Sequence, residues 1–424
     1  MPTLSFPYGK EILTCTISDD RFNGELVSQI HYCKADVSQE ALVEQALANP
    51  TGTPRLSVMS EDKRNVVVIA SDHTRPVPSK FIIPPMLAEI RKGNPQAKIT
   101  ILVATGCHRE TTGEELAGKF GVEIAERENI VIHDCDKSET VYLGKLPSGG
   151  DIIINKIAAE ADLLVAEGFI EPHFFAGYSG GRKSVLPGIV KRETVLYNHN
   201  AEFIDNPCSR TGILEGNPIH IDMLHAARTA RLAFICNVVI NARKEIIRAV
   251  AGDMDLAHRA GRDFLAGKCQ VDAIPADIVI STNGGYPLDQ NIYQAVKGMT
   301  AAEATVRKGG VIVMLAYSNG GHGSDEFYET FVREKDLERM TETFLKTPKN
   351  RTRPDQWEAQ ILARVLRRAH VVYVSNAPDD IVREFQMIPA HSLEEALGKA
   401  EEILGDPQAT VTAIPDGVAV MVRE

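Results

Sequence analysis

The sequence predicts an α/β protein: two Rossmann-like α/β domains with mainly parallel sheets and the active site in the cleft between them. Three observations carry this. The chain has 424 residues, more than one core comfortably organises, so length alone favours two domains. Hydrophobic residues make up 44% and charged residues 24%, with a single Trp, which describes an ordinary globular protein. Short β-branched runs alternate with longer helical patterns through both halves, the grammar of parallel strands covered on each face.

In the first half the strands are VVVIA (66 to 70), ITILVA (99 to 104), NIVIH (129 to 133), DLLVAEGF (162 to 169) and LAFICNVVI (232 to 240). AGKCQVDAIPAD, at 266 to 277, reads as a boundary, giving domains of 1–270 and 275–424. The second half repeats the grammar with DIVIST (277 to 282), VIVMLA (311 to 316), HVVYVS (370 to 375) and ATVTAI (409 to 414). Helical patterns lie between these strands, as in SLEEALGKAEEIL (392 to 404), whose Leu393, Ala396, Leu397 and Ile403 favour one face.

A formal net charge of -11 argues against nucleic acid, whose binders display basic surfaces. Seven cysteines are scattered with no C-x-x-C pair, which is neither a disulfide framework nor a zinc ribbon. No apolar run approaches the ~18 residues of a membrane span, and MPTLSFPYGKEIL lacks a signal-peptide layout, so a cytoplasmic protein without a membrane partner is expected.

Ligands of open α/β sheets sit beyond the carboxyl ends of the strands. The loops there are rich in chemistry: Ser71-Asp72-His73-Thr74-Arg75-Pro76, Thr105-Gly106-Cys107-His108-Arg109-Glu110, and EPHFFAGYSGGRKS at 171 to 184. Thr112 and Glu115 form a capping box that starts a helix just after His108. In the second half, Asn283-Gly284-Gly285-Tyr286-Pro287 leads to a helix on which Tyr293, Gln294 and Lys297 share a face.

EPHFFAGYSGGRKS nearly spells a phosphate loop. From Gly177 the pattern G-x-x-x-x-G-K-S demands glycine at 182, where the chain has Arg182; that glycine lets backbone N–H groups approach phosphates closely. A nucleotide-binding transferase built on 177–184 is therefore the weaker alternative, and a plain surface turn leaves the Arg-Lys pair unexplained. His31, His220, His225, His258, His370 and His391 read as structural or surface residues. His133 is a metal-ligand option with Cys135, and His322, in a Gly-rich loop, is the best of the unassigned histidines. No histidine spacing identifies zinc or iron, and His199 taken alone belongs to a solvated helix. Asp72 and Arg75 either pair with each other or bind a ligand. The concentration of Asp72, Arg75, His108, His173 and Lys183 in strand-end loops favours a ligand, as scattered solvated residues would not cluster so.

Arg75 and Lys297 suit a small organic carboxylate, and two histidines suit paired acid and base work. Racemisation gives the pair a reason. Mirror-image substrates held by the same carboxylate turn their hydroxyls to opposite sides, so each hand needs its own base. The α C–H is too weak an acid for imidazole, so hydride abstraction is the easier route, and that needs an electron-accepting cofactor.

The segments SDHTRPVP, ATGCHRETTGEE, EPHFFAGYSGGRKSVLPGI, YNHN and YQAVKGM resemble the lactate racemase family that uses a nickel pincer cofactor. The resemblance implies an isomerase, interconverting D- and L-lactate by hydride abstraction and return. Its cofactor is a pyridinium-3,5-bisthiocarboxylic acid mononucleotide carrying nickel, joined covalently through Lys183, with His199 as the protein's nickel ligand and Asp72 contacting the cofactor. His108 and His173 are implied as the acid/base pair, and Arg75, Gln294 and Lys297 as the substrate-binding groups, with Tyr293 beside them and Trp357 closing over the site. Accessory cofactor-building and nickel-insertion proteins are implied as partners. Another 2-hydroxyacid racemase or epimerase is the nearest alternative, and a non-catalytic small-anion module, with dispensable histidines, the most distant.

Overall fold

The computed structural model describes residues 1–423. The chain divides into two compact units. The first comprises Gln29–Asn198 and Asn206–Lys268; the second comprises Met1–Ser28, His199–Asp205 and the chain from Cys269 onward.

The first unit is built on a six-stranded sheet with spatial order Ile246–Gly252, Leu232–Ile240, Leu163–Phe169, Asn65–Ser71, Lys98–Ala104, Asn129–Ile132. All neighbours run parallel except the outermost pair, Ile246–Gly252 against Leu232–Ile240. Val66 to Ala70 and Leu163 to Phe169 are buried throughout, the physical basis of their unbroken apolar runs: side chains leave both faces of the strand and find cover on each. Helix Ser79–Gly93 supplies part of that cover through Ile82, Ile83, Met86, Leu87 and Ile90, one face at helical spacing. Ser71 pairs with Ala104 and Ile69 with Ala166, so three adjacent strands end at nearly the same level. That register brings the loops bearing Asp72, His108 and His173 out side by side.

The second unit has its own six-stranded sheet, ordered Ile388–Ala390, His370–Val374, Val306–Leu315, Ala276–Thr282, Val411–Ile414, Phe22–Glu25, with every neighbouring pair parallel. The expected division at 270–275 lies beside the observed change at Lys268 and Cys269, and the contacts group Met1–Ser28 and His199–Asp205 with the second unit. Phe22–Glu25 forms the sheet's edge against Val411–Ile414, and the hairpin Thr3–Tyr8/Glu11–Thr16 buries Leu4, Phe6 and Tyr8 in the second core. His199–Asp205 joins the same unit: Gln360 Nε2 donates to the Ala201 carbonyl at 2.9 Å, and Lys349 pairs with Glu202 at 3.0 Å. No local signal in the sequence reveals such long-range pairing.

The architecture is a mixed α/β fold with mainly parallel sheets. Among the described residues no helix is long and apolar enough to cross a membrane.

Candidate active site

In the first unit Asp72 does not pair with Arg75, one of the expected alternatives; its partner is His108. Asp72 Oδ2 lies 2.7 Å from His108 Nδ1, and Thr74 Oγ1 donates to Asp72 Oδ1 at 2.7 Å. Burial alone would push the Asp72 carboxyl up. The His108 hydrogen bond and charge, with Thr74 and Arg75, outweigh it and hold the group below the usual carboxylate range. An ionised Asp72 accepts the Nδ1–H, which leaves Nε2 as the other ring nitrogen of His108. The capping box forms as expected: Thr112 accepts from Glu115 N, and the Glu115 carboxylate reaches the Thr112 N–H at 2.8 Å. Glu115 also grips Arg109 at 2.6 Å.

Beyond the strand Leu163–Phe169, the near-phosphate loop is not a phosphate cradle. Only a four-residue 3-10 turn, Gly181–Ser184, follows it, so no long helix directs its N-terminus at an anion. Arg182 is 1% exposed and turned inward; it donates to the carbonyls of Ala176 at 2.8 Å and Gly180 at 3.3 Å. Burial lowers its pKa to about 9. Gly180, at φ 77°, cannot be replaced cheaply: a Cβ there would lie 2.7 Å from the Phe169 carbonyl and 2.9 Å from Asn237 Oδ1. Asn237 in turn accepts from Gly181 N at 2.8 Å. His258 and His220, read from sequence as structural or surface residues, are buried near Arg182. His258 Nε2 lies 2.8 Å from the Ser179 carbonyl, which fixes that nitrogen as N–H.

His173 stands between Phe174 and Phe175, with ring centroids at 5.1 and 4.5 Å. Its Nδ1 accepts from Ala176 N at 3.3 Å, which sets the neutral ring as the Nε2–H tautomer. Lys183, adjacent to the buried Arg182, is partly exposed and lies 5.7 Å from the Phe175 ring. The turn thus sends one basic chain inward as an anchor and leaves the next accessible.

The second unit gathers the other expected residues. On helix Ile292–Glu303, Lys297 Nζ donates to Gln294 Oε1 at 2.6 Å. Tyr293 OH donates to Asp355 Oδ1 at 3.0 Å and accepts from Trp357 Nε1 at 3.3 Å. Burial first, then Glu358 and Asp355, push the Tyr293 phenol well up, so it stays protonated. Trp357 packs edge-on to His199, centroids 5.0 Å apart. His199 is 5% exposed, which corrects its reading as a solvated helix residue.

Two further sequence options are corrected. His133 is buried, its Nε2–H donating to the Val190 carbonyl at 3.0 Å while Nδ1 accepts from Asn155 at 3.1 Å; both nitrogens are occupied structurally, and no metal role with Cys135 is left. His322 stacks on Tyr328 at 4.9 Å and lies 3.1 Å from the Ser324 carbonyl through Nδ1.

Several supporting residues escaped the sequence reading. Glu167, 1% exposed, accepts from Ser71 N at 2.7 Å, Ser71 Oγ at 2.6 Å and Ser79 Oγ at 3.2 Å. Asp355, in the left-handed region at φ 57°, also accepts from Ser324 Oγ at 2.6 Å. Glu358 is fully buried with neither oxygen hydrogen-bonded; burial raises its pKa to about 8 against the pull of Lys297. The one usable signal was Glu167, a carboxylate inside an otherwise apolar strand run.

Comparison with known proteins accounts for both halves of the chain. The lactate racemase N-terminal domain matches residues 8–212 and the lactate racemase C-terminal domain residues 271–422. Lactate racemase from Thermoanaerobacterium thermosaccharolyticum is 51% identical over 426 residues, and that from Lactiplantibacillus plantarum 52% over 425, each covering both chains completely. The structure of the Thermoanaerobacterium thermosaccharolyticum lactate racemase apoprotein superposes with a TM-score of 0.96 over the whole of both chains. A Thermotoga maritima protein, 17% identical and covering 92% of this chain, shares the fold at a TM-score of 0.65. With both domain families and full-length relatives in agreement, the chain belongs to the lactate racemase family, a family of isomerases.

Proposed function

We propose that this protein racemises lactate with a nickel-bearing pyridinium mononucleotide tethered at Lys183. The observation that carries the reading is the Asp72–His108 pair, with a second histidine, His173, on the loop after the neighbouring parallel strand. Arg75 is the carboxylate-binding group of the first unit, and in the second unit Gln294 fixes the Lys297 ammonium. One hand of the substrate offers its hydroxyl to His108 and the other to His173.

The two histidines are tethered differently. Asp72 accepts the Nδ1–H of His108 in either protonation state of the ring, so His108 takes or gives a proton at Nε2 without loosening its hold. The Ala176 contact to His173 Nδ1 exists only while that ring is neutral. Tyr293 and Trp357, locked by mutual hydrogen bonding, exclude water and orient the substrate.

The residues suit the cofactor. Lys183 is an accessible amine on an anchored turn, and His199 is a buried imidazole braced by Trp357. The three-donor cluster among the described residues is Asp134, Cys135 and Asp136, and His199 is not a member of it. This fits a metal whose other donors come from an organic group. When bound, that group supplies the hydride acceptor no side chain provides.

The test is mass spectrometry of active protein produced with the cofactor-building enzymes. A nickel-containing adduct on the Lys183 peptide is expected; unmodified Lys183 in fully active protein would sink the proposal. A 2-hydroxyacid panel on the same preparation separates lactate from its nearest alternatives.

A further inference from the structure

We propose that Lys119 is a positioning residue for Arg75, coupling the substrate-carboxylate clamp to the His108 loop. Lys119 sits in the last turn of helix Gly113–Phe120. Its Nζ donates to the Arg75 carbonyl at 3.0 Å and the Val77 carbonyl at 3.4 Å. The other end of the helix is fixed to the His108 loop by the Thr112–Glu115 box and by Glu115 on Arg109. Thr111 Oγ1 also lies 3.0 Å from His73 Nδ1. A single short helix therefore spans the loops carrying the acid/base and carboxylate-binding groups. Glu167 completes the clamp by holding Ser71 and Ser79, the two ends of the Arg75 loop.

No ion pair accounts for the charge of Lys119. No carboxylate lies within ion-pairing distance of it among the described residues, and desolvation lowers its pKa, with Glu167 and Asp72 opposing. A desolvated ammonium whose hydrogen bonds go to loop carbonyls costs stability relative to an apolar chain of the same length. Met in its place would pack equally well and leave the Arg75 loop untied. The residue thus serves the position of the loop rather than the stability of the fold.

The inference rests on the reading that Arg75 binds the substrate carboxylate, and the experiment separates the two. K119M, K119R, R75A and the double variant R75A/K119M are prepared as cofactor-loaded enzyme, and KM, kcat, loading at Lys183 and thermal midpoint are measured. Displacing a substrate-positioning group by a fraction of an ångström typically costs on the order of 10-fold or more. K119M is expected to raise KM for lactate by about that factor, change kcat far less, and leave loading and thermal midpoint unchanged or higher. K119R should restore most of the loss, and K119M should add little on the R75A background. An unchanged KM in K119M, a lowered thermal midpoint that accounts for the loss, or full additivity with R75A overturns the positioning role alone. An R75A enzyme with unaltered KM overturns the role and the substrate reading together.

Discussion

Asp72 Oδ2 and His108 Nδ1 are 2.7 Å apart, although 36 residues separate them in the chain. Two parallel strands in register, Ser71 opposite Ala104, make that distance possible. The pairing occupies Nδ1, so in the proposed mechanism Nε2 is the nitrogen that exchanges the proton. D72N presents an amide where His108 needs an acceptor and favours the wrong tautomer. On the scale of positioned acid/base groups, its kcat should fall by about 10²-fold or more with cofactor loading measured in parallel. Because the Asp72 carboxyl is depressed, its contribution is fully present above the ordinary carboxylate range and disappears as pH falls through the lower folded value. The wild-type kcat profile should therefore show an acid limb at low pH that the D72N profile lacks.

Arg182 supplies a second test. R182G restores the complete G-x-x-x-x-G-K-S spacing from Gly177, so a sequence-only argument would expect nucleotide binding. The structure predicts the opposite, because the loop is organised by the Arg182 contacts to Ala176 and Gly180. Calorimetry should show no ATP binding. Denaturant unfolding should show a loss on the order of 2–4 kcal/mol, from the cavity left by the buried side chain.

Glu358 gives a pH-dependent stability prediction. Its pKa is raised from the ordinary carboxylate value to about 8, so the native state prefers the protonated acid. The stability this group allows is fully present below the ordinary carboxylate range and is lost as pH rises through about 8. E358Q removes the titration. Its melting temperature relative to wild type should climb between pH 5 and pH 8.5 in scanning calorimetry of the apoprotein, and a constant difference would contradict the assignment.

Much of this site was legible in the sequence because parallel α/β sheets place chemistry in strand-end loops. Val66 to Ala70 announced its strand, and Asp72, Arg75, His108, His173 and Lys183 followed from position alone. Roles for His199, Gln294 and Trp357 came only with the family resemblance, since their neighbours are set by long-range packing. Residue spacing does not bring Trp357 to His199 or Asp355 to Tyr293. For the same reason the grouping of the first 28 residues with the second unit could not be read locally: an edge strand such as Phe22–Glu25 carries no mark of its partner. Arg182, in turn, looked like a defect in a phosphate loop until its buried contacts showed what it holds.

The most direct test of the two-histidine account is racemisation of each lactate enantiomer by H108N and H173N enzymes matched for cofactor loading. Enantiomers have equal free energies, so kcat/KM must remain equal in the two directions for any variant. Each substitution should lower both directions together, by about 10²- to 10⁴-fold. Full activity in either variant, at equal loading, would contradict the account.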